Sequence, residues 1–558
     1  MRKKWWHDGI VYQIYPKSFY DTNGDGYGDI QGIINRLDYI KDLGVNIIWI
    51  SPVYQSPMVD HGYDISDYYE IDPMFGTMKD MDQLIEEADK RGIKILMDLV
   101  INHTSDQHEW FLRAMEDLEG PYADYYIIKE GNGGNPPNNW RSIFGGSAWE
   151  KIEGTNKYYL HLFTKEQPDL NWENEKLREE LYKMVNYWLD KGIGGFRVDA
   201  ITHIKKHPSF EGRPADREDG LVNAWDMYAN VPGIEVFLNE LKERTFLPHD
   251  AMTVGEAMSL DVNCLSNYIK EDGFFSTVFD FSYNEGIEDE ASYEKQQYSV
   301  KEIKEAMFTY QLEAQKYGFV SEFIENHDQP RALNKFIPKE NRNFYSGSML
   351  GTMYFYLRGI PFLYQGQEIG MMNYEKKSID EYVDVSTFEI YEKALLDGLS
   401  QVEALNLVNR RSREHARTPM QWDASEYSGF SGGKPWFPVN PDYTMINVAS
   451  QLQEEQSLLS YYKKLTRLRN STEYKNLFIY GEFKPAYTEM ENIIGYERVD
   501  KDMRVLILNN YDSHGTRIEL KDGIQKILLN NYDILTMDGN ILELQPYQSV
   551  VCKLKRSR

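Results

Sequence analysis

Two neighbouring segments are the most informative about the fold: "NEKLREELYKMVNYWLDKG" at residues 174–192 and "GFRVDA" at residues 195–200. In the first, apolar side chains recur at the helical period, and Gly192 stands where the helix should end. The second is a short apolar run of the kind that forms a buried strand. A helix followed directly by such a strand indicates the repeating unit of a parallel α/β sheet.

The same alternation recurs along most of the chain. Seven further strand-like runs are "VYQIYPKSF" (11–19), "VNIIWISPV" (45–53), "KILMDLV" (94–100), "MTVGEA" (252–257), "TVFDFS" (277–282), "FVSEFIENHDQ" (319–329) and "PFLYQGQE" (361–368). Segments with the helical period, such as "GDIQGIINRLDYIKDLG" (28–44), separate them. Eight such units predict an α/β protein with a closed (β/α)8 TIM barrel, in which the carboxyl ends of the strands build the active site.

Two segments depart from this alternation. Residues 105–171 are rich in glycine, proline, asparagine and tryptophan, and they predict a small inserted domain after the third strand. Near the C-terminus, runs such as "RVLILNNYD" (504–512) and "KILLNNYD" (526–533) indicate short strands joined by turns. The predicted domains are therefore a catalytic barrel in two parts (1–104 and 172–480), an inserted domain (105–171) and a C-terminal antiparallel β-sandwich (481–558).

Composition narrows the classes of partner. The net charge of -27 on 558 residues disfavours nucleic acid and anionic membranes, and it leaves a neutral or cationic small molecule as the expected ligand. The sequence shows neither an apolar stretch of membrane-spanning length nor a secretory signal. With only Cys264 and Cys552, it predicts a cytoplasmic protein without a disulfide framework. Monomer and dimer both stay open.

Three carboxylates fall at the ends of three predicted strands: Asp199, Glu256 and Asp328. One aspartate at a strand end is usually a turn or cap residue, but three at barrel strand ends indicate a site. A retaining glycosidase needs two carboxylates about 5 to 5.5 Å apart, one as nucleophile and one as acid/base. We expect Arg197, on the same strand face as Asp199, to lower the pKa of Asp199, and nearby like charges to raise that of Glu256.

These motifs resemble those of glycoside hydrolase family thirteen, the α-amylase family, and within it the oligo-1,6-glucosidase and α-glucosidase group. The resemblance runs nearly end to end and rests on "DLVINHTS" (98–105), "QPDLN" (167–171), "GFRVDAI" (195–201), "VGEA" (254–257), "FIENHDQPR" (323–331) and "RTPMQWD" (417–423). It implies that Asp199 is the nucleophile, Glu256 the acid/base and Asp328 the stabiliser of the transition state. No organic cofactor is then needed.

The resemblance also implies a pocket that holds one terminal glucose. Positions expected to contact substrate are Tyr63, His103, Phe144, Phe163, Gln167, Arg197, Ala200 and His327. Asp60 in "DHGYD" and Arg417 in "ARTPMQW" match a pair that grips the non-reducing end and makes such enzymes exo-acting. Because Arg411 and Arg413 lie close to Arg417 in the sequence, either of them could be the partner of Asp60 instead.

The loop "DTNGDGYGDI" (21–30) has the spacing of a metal site. The side chains of Asp21, Asn23, Asp25 and Asp29 and the carbonyl of Tyr27 fall at alternate positions of a calcium loop. Position 12 is Gly32 where an EF-hand has glutamate, and a strand-like run precedes the loop, so an EF-hand is excluded. A polar turn without metal is the alternative. The resemblance implies a structural Ca²⁺ or Mg²⁺ remote from the catalytic carboxylates.

Four differences from the patterns of family members bear on the substrate. Members specific for α-1,6 bonds typically carry valine after the nucleophile, so Ala200 favours α-1,4 (maltose-like) bonds or sucrose, with an oligo-1,6-glucosidase as the alternative. His61 and Gln367 replace an asparagine and an acidic residue. Residues 332–341, "ALNKFIPKEN", lack the arginine-aspartate cluster of sucrose isomerases. Trehalose-6-phosphate hydrolysis and transglucosylation stay open, whereas the intact carboxylate set argues against a non-catalytic scaffold like the heavy chains of transporters.

Overall fold

The computed structural model describes residues 2–258, 260–284 and 299–555. The strands of this part are β1 (Val11–Ile14), β2 (Ile47–Ile50), β3 (Tyr54–Gln55), β4 (Asp67–Ile71), β5 (Lys94–Val100), β6 (Ile128–Glu130), β7 (Trp149–Lys151), β8 (Lys157–Leu160), β9 (Gly195–Asp199), β10 (Met252–Gly255), β11 (Thr277–Val278), β12 (Val320–Glu322), β13 (Gly359–Tyr364), β14 (Glu482–Ala486), β15 (Ile493–Val499), β16 (Arg504–Asn510), β17 (Thr516–Glu519), β18 (Ile524–Asn530), β19 (Thr536–Asp538), β20 (Ile541–Leu544) and β21 (Ser549–Leu554).

The α-helices of the same residues are α1 (Ile30–Asp42), α2 (Met78–Lys90), α3 (Glu109–Glu116), α4 (Glu175–Asp190), α5 (Trp225–Tyr228), α6 (Ile234–Leu241), α7 (Leu265–Ile269), α8 (Val300–Ala314), α9 (Ala332–Phe336), α10 (Phe344–Phe355), α11 (Val385–Leu396), α12 (Gln401–Arg411), α13 (Val448–Gln453), α14 (Leu458–Asn470) and α15 (Lys475–Tyr480). Within the described ranges, none of the helices combines the length and the apolar character needed to cross a bilayer.

Eight parallel strands form the barrel in the order β11–β10–β9–β5–β2–β1–β13–β12. A parallel bridge between Phe279 and Ser321 joins the two ends of this sheet and closes it. All eight strand-like runs of the sequence supply its strands, so the predicted (β/α)8 barrel is confirmed. Strands such as β2, β9 and β13 are buried along their whole length, as expected where helices cover the outer face of a parallel sheet.

The unit α4–β9 shows why the sequence folds in this way. The Asn174 side chain caps α4 by accepting hydrogen bonds from the amides of Lys176 and Leu177. Leu177, Leu181 and Trp188 lie on its buried face. Beyond the helix end the chain turns through a glycine at position 192 with φ of 99°, a left-handed conformation that glycine adopts without strain. The chain therefore passes from α4 through this turn into β9, which ends at Asp199.

The segment between β5 and α4 carries α3 and a three-stranded antiparallel sheet in the order β6–β8–β7. Trp140 and Trp149 are the centre of its apolar core. Phe210, Val222 and Tyr228 pack into the same core, although they follow β9 in the chain. The inserted segment is thus completed by residues beyond its predicted end at residue 171. The domain boundaries themselves stay a prediction.

The C-terminal region is an antiparallel β-structure of two sheets. One has the order β14–β15–β16–β21–β18 and the other β17–β20–β19. Leu508 and Val550 of the first sheet share an apolar cluster with Ile518 and Leu542 of the second, which confirms the predicted sandwich. Arg498 of β15 donates to the carbonyl oxygens of barrel-side residues, including Tyr356 at 2.8 Å, and so ties the sandwich to the barrel.

Helices α11 and α12 form a hairpin after β13 that the sequence analysis did not anticipate. Ala394 of α11 packs against Ala404 and Leu407 of α12. At the open end, the hydroxyls of Thr387 and Ser412 lie 2.7 Å apart. The hairpin therefore brings the residues before α11 close to those after α12, beside the carboxyl ends of the barrel strands.

Candidate active site

The carboxyl ends of β5, β9 and β10 bring three carboxylates around one arginine. Arg197 Nη1 lies 2.8 Å from Asp98 Oδ1 and 2.6 Å from Asp199 Oδ1. Its Nη2 lies 2.5 Å from Glu256 Oε1. Arg197 and Asp98 are fully buried, whereas the side chains of Asp199 and Glu256 keep a small exposed fraction. A single guanidinium thus holds the predicted nucleophile and acid/base side by side.

Arg197 lowers the pKa of Asp199, as expected, but the expectation that it keeps this carboxyl group fully ionised is wrong. Burial raises the pKa of Asp199 to about 7, and Arg197 only partly opposes this rise. Burial likewise raises the pKa of Glu256 to about 7, with Arg197 opposing and the charge of Asp199 adding to the rise. Because Arg197 is shared by three carboxylates, its attraction does not outweigh their desolvation. At neutral pH such a pair can share one proton, which provides one acid and one base.

Ala200 connects the two carboxylates through the backbone. Its φ of 43° lies in the left-handed region, which costs a residue with a side chain about 1 to 3 kcal/mol and is typical of functional sites. In this conformation its amide donates a hydrogen bond of 2.9 Å to Glu256 Oε2. The turn immediately after Asp199 therefore also fixes the position of Glu256.

A second group of side chains surrounds Asp328. Gln13 Nε2 lies 2.8 Å from His327 Nδ1 and donates to it, so the ring proton is on Nε2. That nitrogen is 2.9 Å from Asp328 Oδ2 and 2.6 Å from the Tyr63 hydroxyl. The Tyr63 hydroxyl in turn donates to Asp98 Oδ2 at 3.0 Å. Hydrogen bonds therefore run from Asp328 to the carboxylates around Arg197.

Of Asp199, Glu256 and Asp328, only Asp328 has a lowered pKa. Burial would raise its pKa, but His327, Arg413 and Arg417 lower it well below the usual range. Its side chain is 31% exposed, more than that of any other carboxylate in the cluster described above. A fixed negative charge that faces the pocket suits the stabilisation of positive charge in a transition state.

The predicted pairing of Asp60 with Arg417 is wrong. The partner of Asp60 is Arg413, not Arg417: Arg413 Nη2 lies 3.0 Å from Asp60 Oδ1. Gln167 Nε2 donates to the other oxygen of Asp60 at 3.1 Å. Arg417 lies deeper in the protein and donates to Asp328 Oδ1 at 2.9 Å and to the His327 carbonyl at 3.2 Å. Arg417 remains in the cluster, but next to Asp328.

Aromatic side chains line one side of this cluster. The Phe163 ring centroid lies 5.0 Å from that of His103 and 5.4 Å from that of Phe144. His103 Nε2 lies 3.1 Å from the Tyr63 carbonyl, and the Arg413 guanidinium is 5.2 Å from the centre of the Phe144 ring. The predicted substrate-binding side chains therefore form one connected set. Their contacts with a sugar stay a prediction.

Sequence reasoning missed two side chains of this set. Gln13 lies in β1, and its contact with His327 depends on strands that are far apart in the chain. Asp384 is buried and contacts Arg413 and Arg417. In the sequence, Asp384 resembles an ordinary cap before α11, although its side chain accepts no capping hydrogen bond from a helix amide. No sequence signal distinguishes it from a structural aspartate.

In the loop of residues 21–30, side-chain carboxylates accept hydrogen bonds from backbone amides of the same loop. Asp21 accepts hydrogen bonds from the loop amides, including that of Asn23 at 3.0 Å, and Asp25 accepts one from Tyr27 at 2.9 Å. Asp29 caps the first turn of α1. In residues 2–258, 260–284 and 299–555, no group of three His, Cys, Asp or Glu side chains is arranged to hold a metal ion. The oxygen donors suit Ca²⁺ or Mg²⁺ chemically, and the metal stays a prediction.

Known proteins match the chain over its whole length. The family described as alpha amylase, catalytic domain, matches residues 13–477, and the alpha-amylase SusG C-terminal domain matches residues 493–551. The oligo-1,6-glucosidase of Bacillus cereus is 40% identical over 564 residues that span 100% of both chains. The crystal structure of Bacillus licheniformis trehalose-6-phosphate hydrolase has a TM-score of 0.91 at 38% identity, covering 99% of this chain and 100% of that one. The isomaltulose synthase SmuA from Protaminobacter rubrum has a TM-score of 0.94 at 37% identity, covering 100% of both.

Proposed function

The chain belongs to the α-amylase family of glycoside hydrolases, and from that premise we propose that it is a retaining, exo-acting α-glucosidase. It hydrolyses the terminal non-reducing α-glucosidic bond of disaccharides or short oligosaccharides. The observation that carries this proposal is Arg197, which holds Asp199 and Glu256 side by side. The ion pair of Asp60 with Arg413 lies at the other end of the same cluster.

The proposed mechanism is a double displacement. The Asp199 carboxylate attacks the anomeric carbon while Glu256 donates its proton to the departing oxygen, and a glucosyl-enzyme ester forms. Glu256, now ionised, then takes a proton from water, and the resulting hydroxyl group displaces Asp199. Asp328 stays ionised throughout and stabilises the positive charge that develops on the sugar ring. The two displacements together leave the anomeric configuration unchanged.

The ion pair between Asp60 and Arg413 is the basis for the proposed exo action. The Asp60 carboxylate and the Arg413 guanidinium meet at 3.0 Å, beside the Phe144 ring. Such a charged pair offers both donors and acceptors to the hydroxyls of a terminal glucose. In the proposed function this pair ends the pocket beyond the terminal glucose, so the enzyme removes one glucose at a time.

The substrate is best determined with a panel of glucosides. p-Nitrophenyl α-glucoside, maltose, isomaltose, sucrose, trehalose and trehalose 6-phosphate would be incubated with the enzyme and the products identified. The name oligo-1,6-glucosidase of one relative suggests an α-1,6-linked substrate such as isomaltose for this chain, whereas Ala200 favours maltose or sucrose. Glucose from one of these substrates supports the proposal. Conversion of sucrose to an isomer would instead support isomerase activity, and transfer of glucose to sugar acceptors would support transglucosylase activity. Release of glucose and glucose 6-phosphate from trehalose 6-phosphate, with none of the other glucosides cleaved, would support trehalose-6-phosphate hydrolase activity.

Ala200 provides the prediction on linkage. Its amide donates to Glu256 Oε2 at 2.9 Å, so the residue lies next to the proposed acid/base, near the expected position of the leaving sugar. Valine adds two carbons, and because one methylene changes discrimination by about 1 to 3 kcal/mol, Ala200→Val should shift the maltose to isomaltose ratio of kcat/KM about tenfold or more toward isomaltose. Steady-state kinetics on both sugars would measure this ratio.

Ala200→Ser is the matched control, because it adds one atom without a branch at the left-handed position. It should change the ratio by less than about threefold. A wild type that already prefers isomaltose, or a ratio that valine does not move, would overturn the α-1,4 assignment and support an oligo-1,6-glucosidase.

For the loop of residues 21–30 we propose a structural Ca²⁺ or Mg²⁺. The alternating oxygens of Asp21, Asn23, Asp25, Tyr27 and Asp29 support it. An ion that binds only the native state stabilises it by mass action, so EDTA should lower the melting temperature of wild type but not that of Asp21→Ala. The initial activity of still-folded enzyme should persist. Immediate loss of activity without a thermal shift would show that the metal is not structural.

We also propose a cytoplasmic location, where the enzyme acts on small glucosides and on neither nucleic acid nor membranes. Two observations support it. Cys264 and Cys552 are both free thiols, as a reducing compartment would leave them. The strongly negative net charge disfavours polyanionic partners.

A further inference from the structure

Asp384 lies behind the pocket and neutralises two arginines of the site. Its Oδ1 is 2.7 Å from Arg413 Nη2, and both of its oxygens are 3.0 Å from Arg413 Nε. Arg417 Nη1 is 3.4 Å from the same Oδ1. The Asp384 side chain is only 1% exposed, so it has no direct path to a substrate.

The guanidinium that Asp384 holds also contacts both ends of the pocket. Arg413 Nη2 donates to Asp60 Oδ1 at 3.0 Å, and its Nη1 donates to Asp328 Oδ1 at 3.1 Å. An arginine side chain has several free rotations, and its planar fork binds in a defined direction only when other groups fix it. Asp384 binds Nε and Nη2 of the Arg413 guanidinium, whereas Asp328 binds Nη1. Asp384 is thus placed to fix the orientation of this guanidinium.

The backbone at Asp384 is itself held firmly. Glu414 Oε1 accepts hydrogen bonds from the amides of Val383 at 2.6 Å and Asp384 at 2.5 Å. Glu414 Oε2 is 2.5 Å from Lys376 Nζ, and both of these side chains are buried. The α11–α12 hairpin joins the chain just after Asp384 to the chain just before Arg413. The carboxylate therefore stands on a rigid support that includes the residue next to Arg413.

A purely structural role for Asp384 would be that of a cap on α11. Its side chain accepts no hydrogen bond from an amide of that helix, and its helix-side partners are the hydroxyls of Ser386 and Thr387. Burial would raise the pKa of Asp384, but Arg413 and Arg417 hold it below the ordinary value, so the group is ionised wherever the enzyme is folded and active. A buried charge directed at two site arginines is more than a cap requires.

We propose that Asp384 is a positioning residue that fixes Arg413 in the direction in which it pairs with Asp60 and closes the pocket one glucose deep. This inference rests on the proposed α-glucosidase function. Asp384 touches no substrate; it acts through Arg413 and sets how tightly the terminal glucose is bound. Without its charge, Arg413 is free to turn toward Asp328 or toward solvent.

The first test is Asp384→Asn, which keeps the shape of the side chain and removes its charge. We expect kcat/KM on maltose to fall about tenfold or more, mainly through a higher KM, and the dissociation constant of glucose measured by calorimetry to rise to a similar extent. Ser386→Ala is the matched control, because it removes a hydrogen bond from the same carboxylate but leaves both arginine contacts intact. Its kinetics should stay within about twofold of wild type.

A double-mutant cycle with Asp60→Asn separates positioning from a general structural effect. If Asp384 acts through Arg413 on Asp60, the double variant should lose no more than about threefold beyond the worse single variant, because groups that act as a unit are non-additive. Losses that multiply, or a KM for Asp384→Asn equal to that of wild type, would overturn the proposal. The melting temperature of each variant is recorded alongside.

Should Asp384→Asn fail to fold, Glu414→Gln tests the same support, because it removes the Lys376 ion pair behind the Asp384 backbone. We expect it to raise KM above that of wild type, and again without adding to the loss in Asp60→Asn; a KM equal to that of wild type would overturn the proposal. The glucose-binding measurements do not depend on turnover. A wild type that binds glucose but cleaves no α-glucoside would refute the proposed function, while a Kd unchanged in Asp384→Asn would refute the positioning role.

Discussion

Asp199→Ala should lower kcat on both p-nitrophenyl α-glucoside and maltose by about four orders of magnitude or more. The substitution removes the atom that attacks the anomeric carbon, and loss of a nucleophile costs about as much as loss of the whole catalytic unit. It also relieves the crowding of Asp98, Asp199 and Glu256 around Arg197, so the protein should remain folded. Steady-state rates, together with melting curves, would measure both effects.

Asp280→Asn is a suitable control for this variant. Asp280 is a fully buried aspartate two residues after β11, and the carboxylates that pair with Arg197 are instead Asp98, Asp199 and Glu256. It should retain most of the wild-type kcat. Residual activity above about 1% in a folded Asp199→Ala enzyme would mean that Asp199 is not the nucleophile.

Glu256→Gln should reduce kcat/KM on maltose by about 10² to 10⁴, because glutamine cannot donate a proton to the departing sugar. The loss in the first step should be much smaller with 2,4-dinitrophenyl α-glucoside, since that leaving group departs without protonation. In wild type, the pKa of Glu256 is raised to about 7 by burial, so the acid form prevails below that value. Activity on maltose should therefore fall as pH rises through about 7, which gives a basic limb in the pH profile. This basic limb should be absent from the rate of the initial burst that Glu256→Gln shows with the dinitrophenyl glucoside.

The contrast between the two substrates is the decisive feature. Equal losses on maltose and on the dinitrophenyl glucoside would assign Glu256 to a role other than proton donor. A basic limb that persists in the variant would assign the titration to another group of the pocket.

The barrel could be predicted from the sequence because its strands are buried on both faces. Such strands appear as short continuous apolar runs, and polar residues such as Asp199 and Glu256 stand out where the runs end. Since the carboxyl ends of parallel strands meet at one edge, three carboxylates far apart in the chain were expected to converge. Asp199 and Glu256 do lie close together, because both of them contact Arg197.

Other features depend on tertiary packing that no local pattern reveals. The three arginines Arg411, Arg413 and Arg417 lie within one short stretch, and only the packing of the α11–α12 hairpin decides that Arg413 reaches Asp60. The pKa of Asp199 depends mainly on how completely its surroundings exclude water. The presence of Arg197 two residues earlier in the sequence does not reveal that degree of burial. The core of the inserted segment likewise draws on residues that follow β9.

The most direct test of the central claim is the anomer formed when azide restores turnover to Asp199→Ala. If Asp199 is the nucleophile, azide takes its place and attacks p-nitrophenyl α-glucoside from the opposite face, so NMR should show β-glucosyl azide. If Asp199 were instead the acid/base, azide would displace another carboxylate from a glucosyl-enzyme, and two inversions would give α-glucosyl azide. We expect the β anomer, and formation of the α anomer would exclude Asp199 as the nucleophile.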